Sequence, residues 1–339
     1  MKVSILVTTY NIQDYVGAAI ESVVSQDMPF EWELLVGDDG SNDGTIGVIK
    51  EWIARYPDNI KLFVHERGDN VSKVGSRAAK NRAFLLERAK GDYIQFLDGD
   101  DIFLNNSKIR TQVQILDNPD NAHCACCGHN MEVLYIPTGE RHLMTKEAPG
   151  DAVYNIKDYW LKHYYSTDTI LFRRKCCDLL LDPLYRDYLN DNFITFIILQ
   201  YGDMYYLDKA WAQYNQTGDG LWTGHSAIYG DFRNMQIYDL ELNLRPDLDR
   251  AILERHQESI RRIRKTFTRE HKNEIAPLVD QLQPEVFKTT LLLSKVGPLT
   301  LTEQIKKCVL FSKAEWVFFV KRIKGLYRKI KIHSNNSKR

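Results

Sequence analysis

The 339 residues of this chain exceed one average domain, yet they fit a single large α/β unit carrying an appendage. Apolar residues make up 44% and charged residues 27%, proportions that exclude a disordered, collagen-like or disulfide-scaffold protein. Because 45 basic side chains balance 45 acidic ones, no global attraction to nucleic acid is indicated, and any partner must be recognised by local charge.

In chain order, Val3 to Tyr10 is a β-branched run ending in polar residues, after which Tyr15, Ile20 and Val23 return at helical spacing. Met1-Lys2 and the short apolar stretch behind it lack the length and the cleavage site of a signal peptide. A second strand, Trp32 to Gly37, runs into Asp38-Asp39-Gly40-Ser41, and Thr45, Ile49, Trp52 and Ile53 follow as a helix. Ile60 to Val64 reads as a third strand and residues 76–90 as a helix closed by Gly91. Tyr93 to Leu97 is then a fourth strand. This alternation predicts a mostly parallel sheet with helices on both faces, binding ligands beyond the carboxyl ends of its strands.

Beyond Asp101 the pattern predicts a helix over 107–117 and strands within 122–145 around a turn at Pro137-Thr138-Gly139. From about Tyr229 long charged helices dominate. The expected domains are therefore 1–225, with halves 1–101 and 102–225, and a helical region 226–339. The six cysteines include two adjacent pairs, Cys126-Cys127 and Cys176-Cys177, which suit a reducing cytosol better than a disulfide framework. His123-Cys124-Ala125-Cys126-Cys127-Gly128-His129 fits no common zinc spacing and reads as a core strand. No apolar run approaches the roughly 18–20 residues of a membrane span.

Acidic clusters fall where strands should end: Asp38-Asp39, Asp98-Gly99-Asp100-Asp101, and Asp187 with Asp191. The second concentrates carboxylate oxygens at the edge of a sheet, the donor set that Mg²⁺ or Mn²⁺ takes together with phosphate oxygens; the alternative is a solvated turn.

Four motifs in order carry a resemblance: Val3 to Asn11, Gly37-Asp38-Asp39-Gly40-Ser41-Asn42-Asp43-Gly44-Thr45, Lys80-Asn81-Arg82-Ala83, and Lys90 to Asp101. Together they resemble the family 2 glycosyltransferases, closely over about residues 1–116 and more loosely over 150–225. The resemblance implies a GT-A type, Rossmann-like mixed α/β sheet flanked by helices, with a helical C-terminal extension. It implies inverting transfer of a sugar from a nucleotide diphosphate-sugar, most simply a UDP-sugar, to a hydroxyl of a glycan or lipid-linked saccharide in surface polysaccharide assembly. On this resemblance Thr8, Tyr10 and Asp39 lie against the nucleotide, Arg77 and Lys80 face the diphosphate, Asp98 touches ribose, and Asp100 binds Mn²⁺ or Mg²⁺. Asp191 becomes the base that takes the acceptor's proton, with Asp187 as competitor and helix capping as the alternative for Asp191. Ser166, Thr167 and Trp222 belong on the acceptor side.

The chain departs from the family pattern at Asn190, Asn215 and Thr217, where an acidic residue or Gly, an Arg and a His are commoner; His225 is a candidate replacement for the last. These departures support a second expectation, a catalytically inactive relative that binds glycans or tethers a complex at a membrane. A sugar-phosphate nucleotidyltransferase is disfavoured, because Val3 to Asn11 contains no Gly-rich basic loop.

Finally, residues 303–332 place Ile305, Val309, Trp316, Val320, Ile323, Tyr327 and Ile330 at helical spacing opposite Lys313, Lys321, Lys324, Arg328 and Lys331. Residues 300–339 hold eleven Lys or Arg against two Glu. Such a segment suits the cytoplasmic face of an anionic membrane, the catalytic domain's own surface, or a second copy of the chain.

Overall fold

The structure, a computed structural model, describes residues 1–66, 76–146, 150–157, 166–217, 226–267, 271–280 and 282–295. Trp222, His225 and the basic segment 303–332 lie outside the described residues. The chain forms two compact units, Met1–His225 and Ser226–Arg339.

The first unit is built on a ten-stranded sheet. β1 (Val3–Thr9), β2 (Trp32–Asp38), β3 (Ile60–Val64) and β4 (Tyr93–Asp98) lie parallel in the order β3-β2-β1-β4. β1 is buried at every position but Thr8, as expected of a strand covered on both faces, which is why its sequence is an apolar run rather than an alternation. The helices α1 (Val16–Val24), α2 (Thr45–Arg55) and α3 (Ser76–Arg88) connect these strands. The short β5 (Ile102–Phe103) and α4 (Lys108–Asp117) follow, with Lys108, Ile109, Gln112, Val113 and Leu116 buried.

β6 (Cys124–Tyr135) and β7 (Glu140–Leu143) form the hairpin expected around Pro137-Thr138-Gly139, with Gly139 at φ 74°. The cysteines of β6 are free and fully buried, and no cysteine cluster with metal-binding geometry occurs among the described residues. After β8 (Ala152–Tyr154), β9 (Leu171–Arg173) enters between β4 and β6, antiparallel to both. The helices α5 (Cys177–Leu180) and α6 (Asp191–Ile198) lead to β10 (Asp203–Gln216), which pairs parallel with β6 and antiparallel with β5 and β8. The result is the mixed α/β sheet that the resemblance implies; the mostly parallel sheet expected from the strand–helix alternation is confined to β1–β4 and the β6–β10 pair, because β5, β7, β8 and β9 pair antiparallel.

The second unit is helical: α7 (Ala227–Leu244), α8 (Asp249–Thr266), α9 (His271–Val279) and α10 (Lys288–Ser294). α7 is buried almost all round and carries polar residues that are mostly paired internally, Glu241 Oε1 being the exception. Asp231 takes a two-pronged bond from Arg262, Asp239 accepts from Thr290 N, Thr290 Oγ1 and Thr289 N, and Glu241 meets His256 at 2.8 Å. No described helix is long and apolar enough to cross a membrane.

One contact fixes the turn after β4. A Cβ on Gly99 would stand 2.9 Å from the Thr8 carbonyl oxygen, 2.8 Å from Thr9 Cγ2 and 2.7 Å from Ile12 Cδ1. Only glycine lets this turn lie against the end of β1 and deliver Asp98, Asp100 and Asp101 to one place. Gly99→Ala is expected to cost about 1–3 kcal/mol of overpacking strain. In thermal melts that should lower Tm by roughly 3–10 °C.

Candidate active site

The parallel register sets Thr8 opposite Asp98 and Thr9 opposite Asp38, so β1, β2 and β4 bring their polar ends to one edge. There Thr8 Oγ1 donates to Asp98 at 3.1 Å, and Asp38 accepts from Thr9 Oγ1 at 2.9 Å and from Ser41 N at 2.7 Å. Asn11 holds a left-handed conformation, φ 48°, which Asn tolerates better than most residues. From it Asn11 Oδ1 accepts from Asn42 N and its own N–H donates to Ser41, joining the loop after β1 to the loop after β2. Tyr10 lies half-buried in the same bend.

α3 supplies the positive charge. Asn81 anchors it by donating to the Gly37 carbonyl at 2.7 Å, while its Oδ1 lies 3.0 Å from His65 Nε2. Arg77 then forks Asp39, with Nε at 2.7 Å and a terminal nitrogen at 2.8 Å. This bond holds the Arg77 guanidinium above its ordinary pKa. Lys80, by contrast, is exposed on the helix surface.

Arg82, part of the Lys80-Asn81-Arg82-Ala83 motif but given no role from the sequence, joins the acidic groups of the site. Its side chain is only 8% exposed; it binds Asp98 Oδ1 at 2.9 Å and Oδ2 at 3.1 Å, and reaches Asp191 at 3.2 Å and the Leu189 carbonyl at 3.2 Å. Burial works against its charge, but Asp98, Asp191 and Asp168 outweigh it and hold the guanidinium firmly protonated. The signal available in the sequence was the Lys80-Asn81-Arg82 run, which places three polar residues on a helix that must pack on the sheet.

Asp191 opens α6 but does not cap it. Asn190 takes that role, its side chain accepting from Phe193 N at 2.9 Å, and this departure from the family pattern leaves the Asp191 carboxylate available to Arg82 and to Thr167 Oγ1 at 3.3 Å. Asp187 sits in the short 3-10 turn Arg186–Tyr188. Ser166 caps the neighbouring 3-10 turn Thr167–Thr169, and its hydroxyl donates to Asp168 at 2.8 Å.

Asp168 and Asp101 were not anticipated as site residues. Both are buried and hydrogen-bonded to each other, and Asp168 also accepts from Asp98 N at 3.0 Å. Burial drives both carboxyls upward, so the pair holds a proton between them. Asn215 supports this floor, donating from its backbone to Asp101 at 2.7 Å and from its side chain to the Asp100 carbonyl at 2.6 Å. Tyr214 is pushed upward by burial and by the surrounding Asp101, Asp100, Asp98 and Asp191.

Asp98, Asp101 and Asp168 bring one carboxylate oxygen each to within 4.8 Å of one another, a hard-donor set that suits Mg²⁺ or Mn²⁺. Asp100, the ligand expected from the resemblance, stands beside this group rather than in it. Burial and then the charge of Asp98 raise Asp100 to about 6, and no basic side chain among the described residues pairs with it. Asp101 and Asp168 are already satisfied by shared hydrogen bonds, whereas Asp100 carries an ionised oxygen pair without a counter-charge. The residues present therefore fit a divalent cation.

The family model described as Glycosyl transferase family 2 matches residues 4–180, a little over half of the chain. The chain belongs to this family. Among curated family 2 relatives, EpsE of Bacillus subtilis (strain 168) is 34% identical over 151 residues, 44% of this chain and 50% of EpsE. The poly(ribitol-phosphate) beta-N-acetylglucosaminyltransferase TarS of Staphylococcus aureus (strain Mu50) is 30% identical over 137 residues, 40% of this chain and 21% of TarS. The chain thus spans half or less of these relatives' lengths. Residues 1–349 of S. aureus TarS, solved in complex with UDP-GlcNAc, superpose with a TM-score of 0.63 at 21% identity, covering 86% of this chain and 82% of that one. The fold is the GT-A fold of family 2.

The raised pKa of Asp100 has a stability consequence with a definite sign. A folded-state value of about 6 against an ordinary 3.8 means the folded chain binds more protons than the unfolded one between those values, so this group's contribution falls as pH rises through 6. Asp100→Asn removes the penalty of ionising there and is expected to stabilise the metal-free protein at pH 8 by about 1–3 kcal/mol. Thermal melts should show that gain shrinking at pH 5 and below, and added Mn²⁺ should raise Tm of the unsubstituted protein more than that of Asp100→Asn.

Proposed function

We propose that the chain is a metal-dependent inverting glycosyltransferase that moves a sugar from a nucleoside diphosphate-sugar, a UDP-sugar, to a hydroxyl of a surface glycan or its lipid-linked precursor. The observation that supports this most is the continuous chain Thr8–Asp98–Arg82–Asp191–Thr167, which joins the strand ends where a nucleotide would lie to a carboxylate at the start of α6. TarS, whose name specifies N-acetylglucosamine transfer to a poly(ribitol phosphate), supports a UDP-sugar donor and a cell-surface polymer.

In this reading Thr8, Tyr10 and Asp39 receive the nucleoside, and Arg77 is released from Asp39 or shared with the base. Lys80 and Arg77 lie on the helix that flanks the diphosphate. Asp100, with Asp98 and the neighbouring Asp101 and Asp168, would hold Mn²⁺ or Mg²⁺, which would supply Lewis-acid stabilisation of the leaving diphosphate. Asp191 accepts the proton of the acceptor hydroxyl as that oxygen attacks the anomeric carbon. One direct displacement inverts the configuration there. Arg82 holds Asp98 and Asp191 at a fixed separation, so donor and acceptor meet in a set geometry. Ser166 and Thr167 border the acceptor. The cationic sequence 300–339 suits an anionic membrane on its cytoplasmic face, where a lipid-linked acceptor would be presented.

The test is release of nucleoside diphosphate from a panel of UDP-, GDP- and dTDP-sugars, UDP-GlcNAc first, with Mn²⁺ and an acceptor pool. Turnover is expected from one donor and should be lost on chelation. Asp100→Ala should lose metal-dependent turnover. Asp191→Asn should lose about 10²–10⁴-fold in kcat while keeping UDP affinity within a few-fold. Tight UDP binding with no turnover by the unsubstituted protein would favour an inactive binding module instead. Arg82→Met should also unfold more easily, by about 3 kcal/mol, because it strands two carboxylates.

A further inference from the structure

Below the carboxylates lies a buried amine that the proposed reaction does not use. Lys108, the first residue of α4, is fully buried. Among the described residues its Nζ bonds no carboxylate, although the charge of Asp168 acts on it: it donates to Gln95 Oε1 at 2.6 Å and to Gln112 Oε1 at 3.0 Å, and lies 4.2 Å from the centre of the Phe103 ring. Burial lowers the Lys108 pKa to about 7, and the amine donates to both amide oxygens, which leaves the two NH₂ groups turned away from it.

Both NH₂ groups reach the turn Thr167–Thr169, although each also meets a strand carbonyl, Gln95 Nε2 that of Phe96 at 2.6 Å and Gln112 Nε2 that of Cys127. Gln95 Nε2 is 3.0 Å from the carbonyl oxygens of both Thr167 and Asp168. Gln112 Nε2 is 3.0 Å from the Thr169 carbonyl and 2.7 Å from that of Cys127. Three consecutive carbonyls of the turn Thr167–Thr169 are thereby clamped from below, while from above the same turn offers Thr167 to Asp191 and Asp168 to Asp98 and Ser166. Gln95 is on β4, Gln112 on α4 and Cys127 on β6, so the clamp ties the turn to three separate elements.

We propose that Lys108 is a positioning residue for the transfer reaction: by fixing the orientation of the Gln95 and Gln112 amides it locks the Thr167–Thr169 turn, and with it Thr167 and Asp168, in the geometry the site needs. Its role in catalysis rests on the reading above, and its role in locking the turn does not. Without Lys108 each amide is free to flip, which would set an oxygen against carbonyl oxygens, and the buried oxygens it leaves would lack donors. The turn would then sample other conformations while the surrounding sheet stayed folded.

The experiment compares the unsubstituted protein with Lys108→Met, Gln112→Met and the double variant, by hydrogen exchange of the peptide spanning 166–172 and by donor turnover with Mn²⁺. In Lys108→Met, exchange over 166–170 is expected to quicken by about tenfold or more while β1 and β4 peptides keep their protection. kcat should fall by about 10–100-fold with the donor KM changed less than about threefold. Gln112→Met should move both readouts in the same direction, and the double variant should be no worse than Lys108→Met, because the residues act as one unit. Should Lys108→Met fail to fold, Gln112→Met carries the test alone, since it keeps the Lys108–Gln95 bond. Unchanged exchange over 166–172 in the folded variants, or an acceleration spread evenly over β1 and β4, would overturn the proposal and leave Lys108 a core residue. A kcat within twofold of the unsubstituted protein despite local loosening would overturn its role in catalysis. Absence of turnover by the unsubstituted protein with every donor would instead overturn the transferase reading, and the exchange comparison would still decide whether Lys108 locks the turn.

Discussion

Arg82 brings one permanent positive charge to a place where Asp98, Asp191 and Asp168 all feel it, and the site is arranged around that charge. Carboxylates gathered at the end of a sheet repel one another and resist burial. A guanidinium relieves this better than an ammonium, because its planar fork can meet Asp98 with one arm and Asp191 and the Leu189 carbonyl with the other. The two carboxylates lie on β4 and α6, far apart in sequence, so a single side chain from α3 sets the distance between them.

Beneath that charge the acidic groups are treated in two ways. Asp101 and Asp168 hydrogen-bond each other and are both pushed upward by burial, supported by Asn215, Ser166 and the Asp98 amide. Asp100 is left half-buried, its pKa raised to about 6, and without a basic partner among the described residues. Lys108 forms a third layer, its charge or lone hydrogens directed into neutral amides rather than into the carboxylates above. The polar residues of this core form connected networks, which gives them few alternative arrangements.

The departures from the family pattern find physical roles in this arrangement. Asn190 caps α6 through Phe193 N, so the Asp191 carboxylate is not the cap and meets Arg82 and Thr167. Asn215 spans the backbone of the Asp100–Asp101 turn and fixes it to β10. These substitutions therefore preserve the acidic cluster.

The sequence by itself determined the strand–helix alternation, the β6–β7 hairpin and the strand-end positions of Asp39, Asp98 and Asp100. Those features depend on local periodicity, turn chemistry and motif order, which short windows record. Asp191 was legible too, because it opens an apolar helix. What only the tertiary structure decided were the partnerships: Arg82 with Asp98 and Asp191, Arg77 with Asp39, Asp101 with Asp168, and Lys108 with two glutamines. Asp168 in particular reads as an ordinary turn residue until β9 inserts beside β4 and carries it under Asp98. The Asp101–Asp168 pair meets only when β9 inserts beside β4, and Arg82–Asp191 joins residues more than a hundred positions apart; long-range pairing of this kind leaves no periodic trace along the chain.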